Sequence, residues 1–106
     1  MDGTISTGSA GERIAAEYLM LAGSVILENN YRSGHLEVDL VAREGDCLLF
    51  VEVKTRRSSS FGGALDAVGH WKISNLRKAA RAYLSSGRAP RGCEEIRFDL
   101  IAIDLS

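Results

Sequence analysis

Three carboxylates and one lysine stand on two neighbouring predicted strands: Glu37, Asp39, Glu52 and Lys54. Side chains alternate across a strand, so the two members of each strand share a face. A two-residue turn at Gly45–Asp46 would pair the residues that flank it. Carried along the strands, that register sets Asp39 opposite Glu52 and the other two members opposite each other. Directly opposite side chains are about 5 Å apart at Cβ, which is close enough for two carboxylates to share a cation.

Such a set suits a divalent metal. Asp and Glu oxygens are the ligands that Mg²⁺ or Mn²⁺ prefers, and these ions keep waters and phosphates as further ligands. A metal held in this way polarises a phosphoryl oxygen and lowers the pKa of a bound water. Lys54, two residues after Glu52, would orient that water or stabilise the developing negative charge.

A plainer interpretation treats Glu52-Val53-Lys54 as an ordinary alternation on a solvent-facing strand, with an exposed ion pair of little energetic value. The context favours the chemical interpretation, because the three residues end an apolar, central strand where charge is least expected. The preceding strand supplies Asp39.

The surrounding pattern predicts an α/β fold with a mixed sheet flanked by helices, in the order αβββαβ. Ser9 and Glu12 match a capping box that starts a helix ending near Ala22. Asn29-Asn30 and Ser33-Gly34 are typical of turns after a short first strand. The remaining predicted elements are two strands, a helix with apolar residues at helical spacing, and a last strand: 36–42, 47–55, 69–86 and 95–105.

Length and composition indicate one ordinary globular domain over residues 1–106. Apolar residues make up 45% of the chain and charged residues 25%, which excludes wholesale disorder. No apolar run reaches the ~20 residues of a membrane helix, and no signal peptide is visible. With Cys47 and Cys93 far apart, we expect a reduced, cytoplasmic protein. Residues 1–8 and the Gly/Ser-rich stretch 56–68 are predicted to be flexible.

Positive charge is concentrated in residues 53–92, where nine basic residues face one acidic residue, a balance of +8. Such a segment is a candidate phosphate-binding surface. A cationic helix face that neutralises the acidic first half of the chain explains the same charges. We expect the nucleic-acid contacts to come from Lys54, Arg56, Arg57, Lys72, Arg77, Lys78 and Arg81.

Asp39 followed by Glu52-x-Lys54 resembles the signature of PD-(D/E)xK nucleases, although Val38 stands where that motif has proline. More closely, the chain resembles the YraN family of small bacterial proteins, described as related to Holliday-junction resolvases. The resemblance extends from about Gly11 to Asp104. It is carried by Gly11-Glu12, Asn30-Tyr31-Arg32, Glu37-Val38-Asp39-Leu40-Val41-Ala42, Phe50-Val51-Glu52-Val53-Lys54-Thr55-Arg56, Phe61-Gly62, Lys72 and Arg97-Phe98-Asp99-Leu100-Ile101-Ala102-Ile103.

The resemblance implies a restriction-endonuclease-like core and a role for each matching residue. Asp39 and Glu52 would be metal ligands, and Lys54 would be the catalytic lysine. Glu12 would match the glutamate that resolvase-like nucleases add from the first helix, with the capping box as its competing role. Glu37 matches the glutamate of the family's Gly-Glu-Ile-Asp-type motif, although Leu36 stands in place of the glycine.

Three functions are therefore compatible with the sequence. The first is a Mg²⁺- or Mn²⁺-dependent endonuclease that acts on DNA rather than RNA. The resemblance to resolvases implies branched DNA as its substrate, and symmetric cutting of a junction would require a homodimer. The second is a nucleic-acid- or protein-binding module that keeps a nuclease fold without catalysis. The third is a structural protein whose charged cluster is a salt-bridge network, which explains the motif spacing least well.

Overall fold

The computed structural model describes residues 7–56 and 70–105. It confirms the α/β fold and the predicted order, with elements α1 (Thr7–Leu21), β1 (Val25–Ser33), β2 (Leu36–Glu44), β3 (Cys47–Arg56), α2 (His70–Ser85) and β4 (Glu95–Asp104). The predicted flexible segments lie outside the described residues, except that Thr7 and Gly8 begin α1 and Arg56 ends β3. Neither α1 nor α2 is long and apolar enough to cross a membrane.

The four strands form one mixed sheet in the order β1-β2-β3-β4. β1, β2 and β3 are joined by antiparallel hairpins, whereas β4 runs parallel to β3. A parallel neighbour needs a long crossover connection, and the chain between β3 and β4 includes α2. Gly34 and Gly45 each adopt a φ of 62° in the hairpin turns, a left-handed conformation that glycine tolerates without a steric penalty.

Each face of the sheet carries its own core. The α1-side cluster is built from buried residues of the helix and the two central strands: Ala15, Leu19, Leu40, Ala42, Leu49 and Val51. The α2-side cluster combines residues of α2 with others from three strands: Tyr31, Val38, Val41, Leu48, Phe50, Ala79, Ala80 and Tyr83. β3 contributes to both clusters, and its residues Leu48–Val51 are at most 1% exposed. This is the continuous apolar run expected of a strand covered on both faces.

Aromatic rings connect α2 to the sheet. The Tyr83 ring of α2 meets Tyr31 edge-on at 5.1 Å and Phe50 at 5.8 Å between ring centroids. Phe50 in turn stacks on Phe98 of β4 at 5.8 Å. These edge-to-face and offset contacts each stabilise the packing by about 0.5–1.5 kcal/mol beyond the area they bury. They fix α2 over β1 to β3 and leave the outer side of Phe98 uncovered.

Two local predictions are wrong. Asn29-Asn30 is not a turn, because β1 continues through it to Ser33, and Asn30 takes a φ of 54° within the strand. Asparagine is one of the few residues that enter this left-handed region readily. The capping box is also wrong, since α1 begins at Thr7 and Ser9 lies inside it.

The start of α1 lies close to the end of β3 because Gly11 has no side chain. Gly11 is buried, and a Cβ atom built on it would overlap the Thr55 side chain, with Thr55 Cβ only 3.1 Å away. No other residue type leaves enough room for this approach. Glu12, the next residue of α1, lines a groove together with Asn29 and Asn30 of β1.

We expect Gly11→Ala to lower the free energy of unfolding by about 1 kcal/mol. Alanine is favoured over glycine by about 1 kcal/mol within a helix. Overpacking against Thr55 costs more, about 1–3 kcal/mol. A Thr55→Ala background removes the overlap with Oγ1 and Cγ2 but keeps the Cβ at 3.1 Å, so the same substitution should be less destabilising there. Denaturant unfolding of the four proteins measures the effect, and stabilisation by Gly11→Ala in both backgrounds would contradict the close contact.

Candidate active site

The candidate site begins where two strands separate. The β2–β3 ladder starts with Glu44 opposite Cys47, as predicted from the turn, and its last pair is Leu40 opposite Val51. Beyond that pair β2 stays with β1 as far as Leu36, while β3 stays with β4 as far as Arg56. The first half of β2 and the second half of β3 therefore diverge. The predicted site residues on these strands, Glu37, Asp39, Glu52 and Lys54, all lie in the diverging halves, beyond the last β2–β3 pair.

Asp39 is the first β2 residue beyond the last pair. Its carboxylate oxygen Oδ2 accepts a hydrogen bond from the Val53 backbone N–H at 2.7 Å. The Val53 N–H points toward β2 just beyond the last backbone pair of the two strands, and it donates its hydrogen bond to this side chain. The bond ties the half-buried Asp39 to the strand that carries Glu52 and Lys54.

Strict alternation, on which the predicted shared face depended, fails in β2. Val38 packs in the α2-side cluster and Leu40 packs in the α1-side cluster, although the two are separated by one residue. Asp39 lies at this break. The β1–β2 pairs on either side, Asn29 with Leu40 and Tyr31 with Val38, put the left-handed Asn30 level with it. The carboxylate thus points between the strands instead of standing on one face.

The other three predicted metal ligands all act electrostatically on Asp39. The pKa of Asp39 is raised from 3.8 to about 6, mainly because burial disfavours the charged form. The Val53 hydrogen bond lowers that pKa, whereas the nearby Glu52, Glu12 and Glu37 raise it. Glu12 belongs to a different element, so its electrostatic effect shows that α1 brings it to the site.

Glu52 and Lys54 occupy the end of β3. The Lys54 Nζ lies 3.9 Å from Glu52 Oε2, and the two side chains are 30% and 14% exposed. At that distance the ion pair is loose, and both groups remain within reach of a ligand that enters between the diverging strands. Alternation from Phe50, which packs on the α2 side, puts both on the α2 face of the sheet.

Glu37 has a different partner from the one that the register predicted. It forms an ion pair with Arg32 of β1 at 3.3 Å instead of facing Lys54. The two residues are directly opposite in the β1–β2 ladder, and both side chains are well exposed. A pair of this kind contributes little stability. Glu37 therefore lies at the margin of the site, where it acts on Asp39 through space.

The residues fit a magnesium-type ion held by two carboxylates. Among the residues that the structure describes, no group of three or more His, Cys, Asp and Glu side chains is arranged to hold a metal. Mg²⁺ does not need such a cage, since it usually binds through one or two carboxylates and completes its octahedron with water and substrate phosphate. Asp39 and Glu52 can supply two hard oxygen ligands.

Three of the predicted nucleic-acid contacts are exposed on α2, namely Arg77, Lys78 and Arg81. Arg77 and Arg81 line a groove with Ile96 and Phe98 of β4. For three other predicted contacts the structure describes no side chain. Arg56 ends β3 and Lys72 lies in α2, but their side chains are outside the part of the chain that the structure describes, as is all of Arg57.

Sequence reasoning missed two contributors to the site. The Val53 N–H has no signal in the sequence, because every residue except proline carries one. Asn30 does carry a signal, since asparagine readily adopts left-handed backbone, but the same pair of asparagines is also typical of a turn.

We expect Asp39→Asn to stabilise the protein at neutral pH but not at pH 4. A carboxyl whose pKa is higher in the folded state than in the unfolded state costs stability as the pH rises through that interval. The advantage of Asp39→Asn should therefore grow between about pH 4 and pH 6 and stay level above. Because the group is partly exposed, we expect about 1–2 kcal/mol. Urea unfolding across pH measures this, and a pH-independent difference would contradict it.

Comparison with known proteins identifies the family. A sequence profile of the uncharacterised protein family UPF0102 matches residues 11–103. A UPF0102 protein from Syntrophomonas wolfei subsp. wolfei is 49% identical over 96 residues, which are 91% of this chain and 82% of the relative. A UPF0102 protein from Syntrophus aciditrophicus is 43% identical over 105 residues, or 99% of this chain and 81% of the relative. This chain therefore belongs to the uncharacterised protein family UPF0102, the YraN family that its motifs indicated.

Proposed function

We propose that this protein is a divalent-metal-dependent nuclease that hydrolyses phosphodiester bonds of DNA. The observation that carries the proposal is the position of Asp39 at the divergence of β2 and β3, bonded to the Val53 N–H. Glu52 and Lys54 follow on the adjoining strand. A buried carboxylate with a raised pKa, surrounded by further carboxylates, is typical of functional sites.

Asp39 and Glu52 would hold Mg²⁺ or Mn²⁺, which when bound polarises a phosphoryl oxygen and lowers the pKa of a bound water. The Val53 N–H orients the Asp39 carboxylate, and orientation by an outer hydrogen bond is what metal ligands commonly require. Lys54 places a positive charge beside Glu52, where it can stabilise negative charge on the scissile phosphate. Glu12 and Glu37 add negative potential that favours a cation at this place.

The proposed substrate is DNA, because cationic residues lie on the face of the sheet toward which Glu52 and Lys54 point. Arg77, Lys78 and Arg81 of α2 are exposed there and would contact phosphates. A preference for branched DNA rests on the resemblance to resolvase-like nucleases. The proposed place of action is the cytoplasm. This compartment is reducing, which agrees with the free thiols of Cys47 and Cys93, and in a bacterium it contains the DNA.

A second function is supported by one observation, the three exposed basic residues of α2, which would bind DNA with or without a metal. A module that binds DNA without cutting it would keep the basic face of α2 and would not need a metal. This alternative makes a different prediction for the two site carboxylates, because their removal would then leave DNA binding unchanged and there would be no cleavage to lose.

We expect the wild-type protein to cut labelled DNA in the presence of Mg²⁺ or Mn²⁺. The substrates are single-stranded, duplex, flap and four-way-junction DNA, and each sample is assayed for binding and for cutting. Glu52→Ala and Lys54→Ala should each reduce cleavage by about 100-fold or more, since the first removes a proposed metal ligand and the second removes a positive charge beside the reacting phosphate. Glu52→Ala should retain DNA binding.

The matched control is Glu28→Ala, which removes a partly buried carboxylate that pairs with Arg88 at 3.2 Å. It should cut DNA like the wild type. Binding without cutting in every protein would favour the binding module. Cutting that persists in Glu52→Ala would show a contaminating nuclease or a different site.

Metal binding tests the ligands without DNA. We expect Mn²⁺ to bind the wild type in calorimetry or electron paramagnetic resonance, and Asp39→Asn to bind it at least about 10-fold more weakly. Because the metal competes with a proton on Asp39, the wild-type affinity should fall as the pH is lowered below about 6. Equal affinity in the two proteins would remove Asp39 from the ligand set.

A further inference from the structure

Within the described parts of the chain, β4 is an edge strand with no strand on its outer side. Among the described residues it pairs only with β3, and β3 pairs with β2 on its other side. Its α2 face presents Ile96, Phe98 and Leu100, which are 46%, 42% and 38% exposed. A ten-residue edge with exposed apolar side chains is a template for pairing with another strand, and proteins ordinarily cover or charge such an edge.

The charges on the other face of β4 restrict what can pair with it. Arg97 and Asp99 lie on that face, and Arg97 donates three hydrogen bonds to Asp99, at 2.9 to 3.1 Å. Phe98 stands between them in the chain. The strand thus has unlike charges at equal distances on either side of one apolar residue, so it is complementary to its own antiparallel copy.

We propose that β4 pairs with β4 of a second copy of this chain, antiparallel and centred on Phe98. A two-fold axis perpendicular to the sheet relates the copies, so the same patch of each subunit meets itself. Arg97 lies opposite Asp99 of the partner subunit, and Asp99 lies opposite the partner's Arg97. The two four-stranded sheets become one eight-stranded sheet.

This register keeps the existing ion pair and adds to it. The four charges form a square in which every side joins unlike charges and only the diagonals join like charges. On the α2 face, Phe98 lies opposite its copy while Ile96 lies opposite the partner's Leu100. The exposed apolar row of one edge is thereby covered by that of the other, and cross-strand pairs of both kinds stabilise a sheet.

Neighbouring symmetric registers are less favourable. Centring on Arg97 or on Asp99 sets that residue opposite its own copy, and like charges directly opposite are destabilising. Centring on Ile96 does oppose Glu95 and Arg97, but it leaves Asp99 opposite a residue before the start of β4 at Glu95. Only the register centred on Phe98 pairs both Arg97 and Asp99 with unlike charges within the strand.

The arrangement has a consequence that rests on the proposed function. Glu52 is level with Leu100 in the β3–β4 ladder, so the two copies of Glu52 would be about 20 Å apart in a flat sheet. The two-fold axis keeps both on the same face with opposite strand direction. Two sites placed in this way could act on the two antiparallel strands of one DNA molecule.

The test is the oligomeric state of charge-reversed variants, measured by sedimentation over a range of concentrations without DNA or metal. The wild type should dimerise. Arg97→Asp and Asp99→Arg should each raise the dimer dissociation constant by about 100-fold or more, because like charges then face each other. An equimolar mixture of the two variants should form a heterodimer, since two negative charges then face two positive ones.

The mixture separates this interface from a folding defect, because the ion pair within each chain stays broken. Arg32→Asp is the matched control, since it reverses an exposed, ion-paired arginine on the opposite edge strand. It should dimerise like the wild type. A monomeric wild type, dimeric single variants, or a mixture that stays monomeric would each overturn the proposal. None of these results depends on whether the protein cuts DNA.

Discussion

The hydrogen bond from the Val53 N–H to the Asp39 carboxylate is the interaction on which the candidate site depends. Two paired strands can separate only if the backbone groups they leave behind find other partners, because an unsatisfied buried donor costs about 1–3 kcal/mol. The carboxylate supplies that partner at the first position beyond the ladder. The Asp39 carboxylate therefore allows the two strands to diverge, and the divergence in turn positions the carboxylate. The shape of the site and the orientation of Asp39 have the same cause.

The same arrangement leaves an electrostatic cost. Burial and the three neighbouring glutamates all raise the pKa of Asp39, and only the Val53 hydrogen bond opposes them. A site that gathers negative charge from α1, β2 and β3 would be stabilised by a cation, which removes the repulsion between its carboxylates. The carboxylates gathered around Asp39 are the physical reason that a metal site is proposed here in place of a structural salt-bridge network.

The sequence was sufficient to predict the order of the elements and the β2–β3 register as far as Leu40 opposite Val51, but not the divergence beyond that pair. Both follow from local signals, namely apolar periodicity and the two-residue turn at Gly45–Asp46. The errors occur where tertiary contacts override such signals. α1 begins before the predicted cap at Ser9, and the left-handed backbone of Asn30 has meaning only beside Asp39. The partner of Glu37 is Arg32, which follows from the β1–β2 ladder and not from β3. The ligand set, the metal and the substrate remain predictions.

The position of the site within the sheet allows Asp39 and Glu52 to be held rigidly and still to be reached by a ligand. The first half of β3 is buried between two helices, and its residues Leu48–Val51 form part of both cores. Glu52 follows directly on that rigid segment, so its backbone is fixed although its side chain reaches the opening. Asp39 precedes the equally buried residues Leu40–Ala42 in the same way. Each acid is thus one residue away from the core, where a group can be held in place without being closed off from a phosphate.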